Sequence, residues 1–473
     1  PFKDIIANEA WQNDDVFTQQ RLAGLNPMSL RKMKSIDFNQ DFVNKSYDWD
    51  MAMQRASGDQ TATFSQMIDA GRVFIIDYKL LYGLSNVEDY TERNTTDRRE
   101  MQESLSPFCT FVVVNVGGEK ELKPVAIQTD LSKDAPVFSP VDGLKWLKAK
   151  IEVQRADLLY VELIEHLLKT HLLMEPICVI MRRTLSVFHP LHQILRWHCR
   201  GLFVTNSLGL GALLNEGEFL HKLFAIGHVG GVELLKRAYP DLSWADTEFD
   251  KNLERRGVHK AEELPYFPYR DDGLLIWKNV GDFARDYVKL YYLNDQDVIL
   301  DSELRNFAKQ LSLDGTGANG GIGMLKGFPA KILTRSQLID VLKRIVFIPA
   351  QHHSVNYPVA YYAGFVPNSP SKLYDDPRVP PEEFGFDTLP QVHVAAEQVS
   401  LSMTLGSIRY DVLLDYGKHL KDDRARAVVN KYHGRLIGKI NNKITARNNK
   451  RLATGKMSYP YFLPKWMPNS IHT

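Results

Sequence analysis

The chain has 473 residues, of which 44% are hydrophobic and 24% charged, and its 58 basic residues balance 57 acidic ones. This composition is typical of a globular protein with a large core and excludes disordered, collagenous and disulfide-scaffold classes. A net charge of +1 provides no field to hold a polyanion, so nucleic acid is not expected as a partner. Three cysteines, Cys109, Cys178 and Cys199, are too few for a disulfide framework and indicate a reducing compartment.

No apolar run approaches the roughly 20 residues needed to cross a bilayer, so we expect a cytoplasmic protein with at most peripheral membrane contact. The first residues, Pro1 to Lys3, show neither Met nor a signal pattern, which indicates a piece of a longer or processed chain. No linker or repeat divides the sequence. We therefore expect one domain over 1–473, with a helical region and β patch at 1–140 and a helical core at 141–473.

In chain order, the first hundred residues show a polar helical pattern, for example from Met51 to Gly71. The stretch Phe17 to Pro27 (FTQQRLAGLNP) is interpreted as an irregular connector. Strand patterns follow at Arg72 to Asp77, Thr110 to Val116 and Leu122 to Gln128. These three segments predict a small antiparallel sheet.

Helical periodicity dominates the rest of the chain. The stretch Trp146 to Met181 predicts one long, buried central helix, and a second apolar helix is predicted from about Gln337 to Tyr357, ending at Pro358. A basic amphipathic helix is predicted over Asp422 to Asn449. The glycine-rich stretch 313–327 lacks the strand and GK[ST] context of a phosphate-binding loop, so we interpret it as a flexible loop.

Two histidines of the central helix, His166 and His171, are five residues apart. In a regular α-helix this spacing puts them about 140° apart. In a π-helix, with about 4.4 residues per turn, the same spacing brings them within roughly 50° of each other. A shared metal ion therefore requires a π-bulge in this helix. Two unrelated helical histidines are the alternative, and the pair alone leaves both interpretations open.

On the second apolar helix, His352 and Asn356 lie four residues apart and share a face, whereas His353 points elsewhere. Three imidazoles and an amide, without a thiolate, suit iron(II) or manganese better than a structural zinc ion. The HExxH signature of zinc hydrolases is absent from the sequence. A weak amide ligand leaves a metal open to redox chemistry, so this set favours oxygen chemistry.

A series of longer motifs then occurs in order along nearly the whole chain. They are RLAGLNP (21–27), WLKAKIEVQRAD (146–157), HLLKTHLLMEP (166–176), TLSVFHP (184–190), YFPYRDDGLLIW (266–277), DYVKLYY (286–292), QHHSVNYP (351–358), VPNSP (366–370) and the terminal PNSIHT. With these motifs the chain resembles the lipoxygenases, the non-haem iron dioxygenases of polyunsaturated fatty acids. The resemblance implies a mainly α fold, with one large helical catalytic domain, a long π-bulged central helix and a small antiparallel β patch.

The resemblance also implies the iron ligands. They are His166, His171 and His352, with Asn356 in the family's variable fourth position and the main-chain carboxylate of Thr473 as the fifth. The family usually ends in isoleucine, so Thr473 is a departure, although a main-chain ligand is expected to survive it.

Further positions follow from the resemblance. Glu162 stands where the family has a group that orients the site by hydrogen bonds, with a solvated charge as the alternative. Gly209 matches the position where glycine goes with R and alanine with S hydroperoxides, because the missing methyl opens a pocket for oxygen. A helix-loosening glycine is the alternative there. The substrate and oxygen channel is expected to include Leu158, Leu167, Gly209, Leu213, Leu223 and Phe224, although each apolar residue also suits an ordinary core.

Only 165 residues precede His166, which leaves no room for the N-terminal β-sandwich of many lipoxygenases. The chain thus resembles a minimal, cyanobacterial-type linoleate 9R-lipoxygenase, some relatives of which are fused downstream of a catalase-related haem domain. The expected reaction adds O₂ to linoleate or linolenate to give a 9R hydroperoxide. A hydroperoxide isomerase, a manganese variant and a catalytically silent lipid-binding module remain as alternatives. The basic helix at 422–449 is a candidate for membrane contact, although such runs are usually solvated faces.

Overall fold

The structure is a computed structural model that describes residues 6–86, 102–313, 323–374, 388–407 and 410–472. Pro1 and Thr473 lie outside the described residues, as does most of the glycine-rich stretch 313–327. The expectations attached to these segments therefore stay predictions.

Short helices open the chain, and two of the predictions for this region differ from the structure. They are α1 (Asp14–Ala23), α2 (Ser35–Phe38), α3 (Trp49–Ser57) and α4 (Phe64–Asp69). The interpretation of 17–27 as an irregular connector is confirmed for Gly24 to Pro27 but was wrong for 17–23, because α1 starts with two aspartates and is capped by Gly24, which are ordinary helix signals. The helix predicted from Met51 to Gly71 is divided in two, since Gly58 takes a left-handed φ of 73° and ends α3.

The predicted antiparallel sheet is confirmed. The strands are β1 (Arg31–Lys32), β2 (Val73–Asp77), β3 (Gln102–Glu103), β4 (Phe108–Val116), β5 (Glu119–Gln128), β6 (Val137–Phe138) and β7 (Leu373–Tyr374). The main sheet has the order β1-β2-β4-β5-β6, and β3 pairs with β7. Along β2, Val73 and Ile75 pack with the N-terminal helices, whereas Phe74 and Ile76 pack into the helical core. Both faces are covered, which explains why β2 and β4 are almost continuously apolar.

The long central helix is also confirmed, and it contains the π-helical distortion that the histidine spacing requires. It runs through α5 (Leu144–Tyr160), a π-helical segment (Val161–Leu172) and α6 (Leu173–Thr184). The junction residues Tyr160 and Leu172 keep helical backbone angles, so the three parts form one continuous helix.

Further helices pack around this central one. They are α7 (Pro190–His198), α8 (Leu202–Gly209) with a π-helical turn (Leu210–Leu214), α9 (Phe219–Leu223), α10 (Gly227–Ala238), α11 (Phe249–Arg255), α12 (Pro268–Tyr291), α13 (Asp295–Leu300), α14 (Ser302–Leu311), α15 (Arg335–Tyr362) and α16 (Val392–Leu405). The prediction that the second apolar helix ends at Pro358 was wrong, because α15 continues to Tyr362. Burial among α12, the π-helical segment and α16 outweighs the hydrogen bond that the proline removes.

The predicted basic helix is present as α17 (Asp423–Arg435), a π-helical turn (Leu436–Ile440) and α18 (Asn441–Ala453). Several of its cations pair with acids of α12. Lys431 bonds Asp286 at 2.9 Å, Arg435 bonds Asp282 at 2.9 Å and Arg451 bonds Asp272 at 2.6 Å. Much of the charge run therefore joins two helices of the fold.

Cys178 of α6 and Cys199 after α7 form a disulfide, whereas Cys109 is free and buried. The expectation of reduced cysteines was therefore wrong for this pair. The two residues meet because α7 folds back on α6, a tertiary contact that their spacing of 21 residues does not reveal. Among the helices in the described part of the chain, none is long and apolar enough to cross a membrane.

Candidate metal centre and apolar cavity

The π-helical segment turns His166 and His171 to the same side of the central helix. Their Nε2 atoms are 3.1 Å apart, and Nε2 of His352 on α15 lies 3.1 Å from that of His166. All three imidazoles are buried. Within the described ranges, this is the one group of three histidine, cysteine or acidic side chains close enough to hold a metal ion.

The three rings converge on a common point. The ring centroids of His166 and His352 are 4.9 Å apart, about 1.6 times the separation of their Nε2 atoms, as expected when both rings point at one atom about 2 Å from each nitrogen. By contrast, the centroids of His221 and His228 are 5.1 Å apart with Nδ1 atoms 2.9 Å apart. Those two rings lie in line, as in an ordinary N–H···N hydrogen bond. The geometry of the buried cluster therefore fits one metal ion.

Hydrogen bonds at the outer ring nitrogens orient the imidazoles. Oε2 of Glu162 lies 3.1 Å from Nδ1 of His166, and Oδ1 of Asn206 lies 2.7 Å from Nδ1 of His171. When Nδ1–H donates in both pairs, each Nε2 lone pair is left for a metal. The Asn206 amide in turn donates to Glu175 at 2.6 Å.

Glu162 is one of the residues that the resemblance indicates, whereas Asn206 is not. Asn206 lies 35 residues beyond His171 on α8, so no local spacing connects the two. The available signal is a single amide in an uncharged, largely apolar stretch (LFVTNSLGLGALL), where a buried polar side chain needs a specific partner.

Asn356 lies one turn after His352 and is fully buried. Its Nδ2 donates to the carbonyl of Leu405 at 2.8 Å, which fixes the orientation of the amide. His353 lies against Tyr357, with ring centroids 3.8 Å apart, and is not part of the histidine cluster.

The C-terminal segment reaches this region through His472. Its carbonyl accepts a hydrogen bond from Oγ1 of Thr205 on α8 at 3.0 Å, one residue before Asn206. Oδ1 of Asn469 accepts from the amide of Leu414 at 2.7 Å and helps to hold the segment. The described chain thus approaches the histidine cluster up to the residue before Thr473.

An apolar cavity of about 920 Å³, including its open mouth, begins at the histidine cluster. His166, His171 and Glu162 line one end. The wall includes every channel candidate, namely Leu158, Leu167, Gly209, Leu213, Leu223 and Phe224. Leu401 and Leu405 of α16 form a further part of the wall that no sequence pattern indicates.

A buried cluster of convergent imidazoles beside an apolar cavity is a site that could hold a metal ion next to an apolar ligand. The lipoxygenase family model matches residues 4–464. The chain therefore belongs to the lipoxygenase family.

Individual relatives agree, at low identity. The chain is 27% identical to the allene oxide synthase-lipoxygenase protein of Plexaura homomalla over 98% of its own length and 44% of that protein. For the linoleate 9/13-lipoxygenase of Pseudomonas aeruginosa these values are 29%, 98% and 67%, and for the human hydroperoxide isomerase ALOXE3 they are 28%, 99% and 63%. The chain thus spans from 44% to 67% of the length of these relatives.

A solved structure confirms the fold. The crystal structure of coral 8R-lipoxygenase matches with a TM-score of 0.84 and 26% identity, over 99% of this chain and 67% of that one.

Proposed function

We propose that the protein is an iron-dependent dioxygenase that converts linoleate or linolenate to a 9R hydroperoxide. The observation that carries the proposal is the convergence of three buried imidazoles at the wall of an apolar cavity. His166, His171, His352 and Asn356 would hold the iron, with the main-chain carboxylate of Thr473 as the fifth ligand. A nitrogen and oxygen donor set without thiolate suits iron(II).

When bound, iron supplies the one-electron chemistry that removes a bis-allylic hydrogen atom from the fatty acid and allows O₂ to add. The protein supplies orientation. Glu162 and Asn206 keep the Nδ1 protons of His166 and His171 in place, which fixes the tautomer and direction of both rings. The apolar wall excludes water and determines which methylene group faces the imidazoles.

The cavity favours an acid that enters with its methyl end first. No lysine or arginine is present among the described residues that line it, so a carboxylate inside would lose its hydration without gaining a counter-ion. A carboxylate that stays at the mouth avoids this cost. Arg182 and Arg183 are exposed and do not line the cavity.

The surroundings of Gly209 support the R configuration. This residue lines the cavity, and a Cβ added to it would meet only Cδ1 of Leu213, at 3.8 Å. Its φ of −63° is ordinary for any residue. An alanine methyl would therefore occupy the space beside Gly209, which we assign to O₂, without disturbing the helix.

Oxygen uptake with linoleic acid, conjugated-diene absorbance and chiral chromatography of the product test this proposal. We expect mainly 9R hydroperoxide from the iron-loaded protein and mainly S product from Gly209→Ala. Gly211→Ala is the matched control, because its Cβ would meet nothing within 4 Å and Gly211 does not line the cavity. An unchanged product configuration in Gly209→Ala would contradict the role of this glycine but not the dioxygenase activity.

A hydroperoxide isomerase is the second candidate, favoured by the similarity to human ALOXE3. An isomerase consumes a fatty-acid hydroperoxide without oxygen uptake, so the same protein assayed with linoleate and with its hydroperoxide separates the two. Metal analysis of the purified protein distinguishes iron from manganese. Turnover of neither substrate by a metal-loaded protein would indicate a silent lipid-binding module.

A further inference from the structure

The helix that forms one wall of the cavity presents its other side to solvent as an apolar surface. Residues 202–214, which comprise α8 and the following π-helical turn, contain no charged side chain. Thr205, Asn206 and Gly209 line the cavity. Val204 and Leu208, one turn apart on the opposite side, are 64% and 68% exposed.

This apolar surface continues beyond α8. Tyr410 is 64% exposed, and its ring lies 4.7 Å from the ring of His472, which in turn packs against Gly201 at the start of α8. Single exposed apolar side chains are common on soluble proteins, whereas a group of large ones on a charge-free helix indicates an interaction surface.

Basic side chains border the same surface. The sequence span 182–214 contains four arginines and no aspartate or glutamate, in a chain whose net charge is only +1. Arg182 at the end of α6 lies over the ring of Phe203 on α8, with its guanidinium carbon 5.4 Å from the ring centroid. Arg182 and Arg200, which directly precedes Gly201 at the start of α8, are exposed, and neither of them forms an ion pair within the described part of the chain.

We propose that this face of α8 docks on an anionic lipid bilayer. Val204 and Leu208 would enter the boundary of the acyl chains, while the bordering arginines meet the negative head groups. The acyl chains of such a bilayer match the apolar face of α8, and its negative head groups match the unpaired arginines beside that face. On the basic helix α17–α18, in contrast, Lys431, Arg435 and Arg451 are already paired with Asp286, Asp282 and Asp272 of α12.

The docking itself does not depend on the proposed function, but its consequence does. Since the inner side of α8 lines the cavity, a bilayer on its outer side would lie one helix away from the space assigned to the fatty acid. A substrate could then reach the cavity from the membrane without crossing water, with its carboxylate left among the head groups.

Co-sedimentation of the metal-loaded full chain with lipid vesicles tests the docking. We expect stronger binding to mixed phosphatidylcholine and phosphatidylglycerol vesicles than to phosphatidylcholine alone. Val204→Ser with Leu208→Ser should lower the partition coefficient by about tenfold or more on both vesicle types. Arg182→Gln and Arg200→Gln should each lower it about fivefold, on the anionic vesicles only.

Two other exposed leucines provide a matched control. Leu293 and Leu300, beside and within α13, are 74% and 65% exposed, and changing both to serine should leave vesicle binding unchanged. Equal binding by the Val204 and Leu208 double variant and the wild type would overturn the proposal, as would equal loss in the control.

The face could instead join two copies of the chain. Sedimentation velocity without vesicles would then show a dimer that the Val204 and Leu208 double variant dissociates, and this result together with weak vesicle binding would also overturn the proposal. The binding assay needs no turnover. A protein that binds vesicles through α8 but does not oxidise linoleate would therefore contradict the proposed function and leave the docking intact.

Discussion

At the scale of single residues, Asn206 shows how one amide orients a histidine of the proposed metal site. Its Oδ1 lies 2.7 Å from Nδ1 of His171, and its Nδ2 donates to Glu175 at 2.6 Å. The second bond prevents the amide from turning over, so its oxygen must face the imidazole. Glu162 acts on His166 in a similar way, but from the preceding turn of the same helix.

Replacing Asn206 with alanine should therefore weaken iron binding by about 10- to 100-fold, because the ring of His171 loses the partner that fixes its tautomer. The measurement is the iron that remains bound after dialysis against a graded series of chelator concentrations. Asn215→Ala is the control, since Asn215 is exposed and its Nδ2 donates only to the carbonyl of Gly211. Equal iron retention in both variants would show that Asn206 does not position the ligand.

The sequence predicts the part of the site that lies on single helices. The spacing of His166 and His171 requires a π-helical segment, and the structure contains one. The spacing of His352 and Asn356 fits a regular α-helix and requires no such distortion. Contacts between helices, such as Asn206 with His171 or Asn356 with Leu405, depend on tertiary packing and leave no periodic signal.

At the scale of elements, the disulfide joins α6, the last part of the helix that carries His166 and His171, to the residue after α7. The chain-entropy model gives about 3 kcal/mol for a loop closed by a separation of 21 residues. We expect Cys178→Ser with Cys199→Ser to lower the free energy of unfolding by about this amount in urea. Added reductant should destabilise the wild type to a similar level and leave the double variant unchanged. A wild type that is insensitive to reductant would contradict the pairing.

Tertiary contacts contribute to two of the errors in the predicted elements. Pro358 ends a helix in isolation, yet α15 continues because it is buried among other helices. Residues 17–23 were interpreted as irregular, yet they are helical, and Arg21 of α1 is fully buried and forms an ion pair with Asp157 of the central helix. Local propensities are weak compared with such tertiary contacts.

At the scale of the whole molecule, His198 connects α7 with the C-terminal segment. Its Nδ1 lies 2.7 Å from the carbonyl of Asn469, and its Nε2 lies 3.2 Å from the hydroxyl of Tyr416. Burial lowers the pKa of His198 to about 4. Because this pKa is below the value of about 6.5 in the unfolded chain, the unfolded state takes up a proton first as the pH falls.

The contribution of His198 to stability is therefore complete above about pH 6.5 and is lost as the pH falls towards 4. The shift corresponds to about 3 kcal/mol. We expect the stability of the wild type to fall more steeply between pH 7 and 4.5 than that of His198→Gln, whose side chain does not titrate. Parallel urea titrations at several pH values measure the difference. Identical pH slopes would show that His198 takes up its proton without cost in the folded state.

For the molecule as a whole, the sequence predicts the fold class, the sheet and the principal helices, because apolar periodicity records which faces are buried. It does not predict how α7 returns on α6 or that α16 forms a wall of the cavity, since both are contacts between distant segments.

The position of α8 also limits how the shape of the cavity can change in evolution. Through Thr205 and Asn206 this helix holds the carbonyl of His472 and the ring of His171, so changes that shift it to admit a longer acid would disturb the proposed metal site at the same time. Leu223 and Phe224 line the same cavity from α9 and the residue after it, away from these bonds. Natural variation and engineering of chain-length preference should therefore concentrate at Leu223 and Phe224 and spare α8.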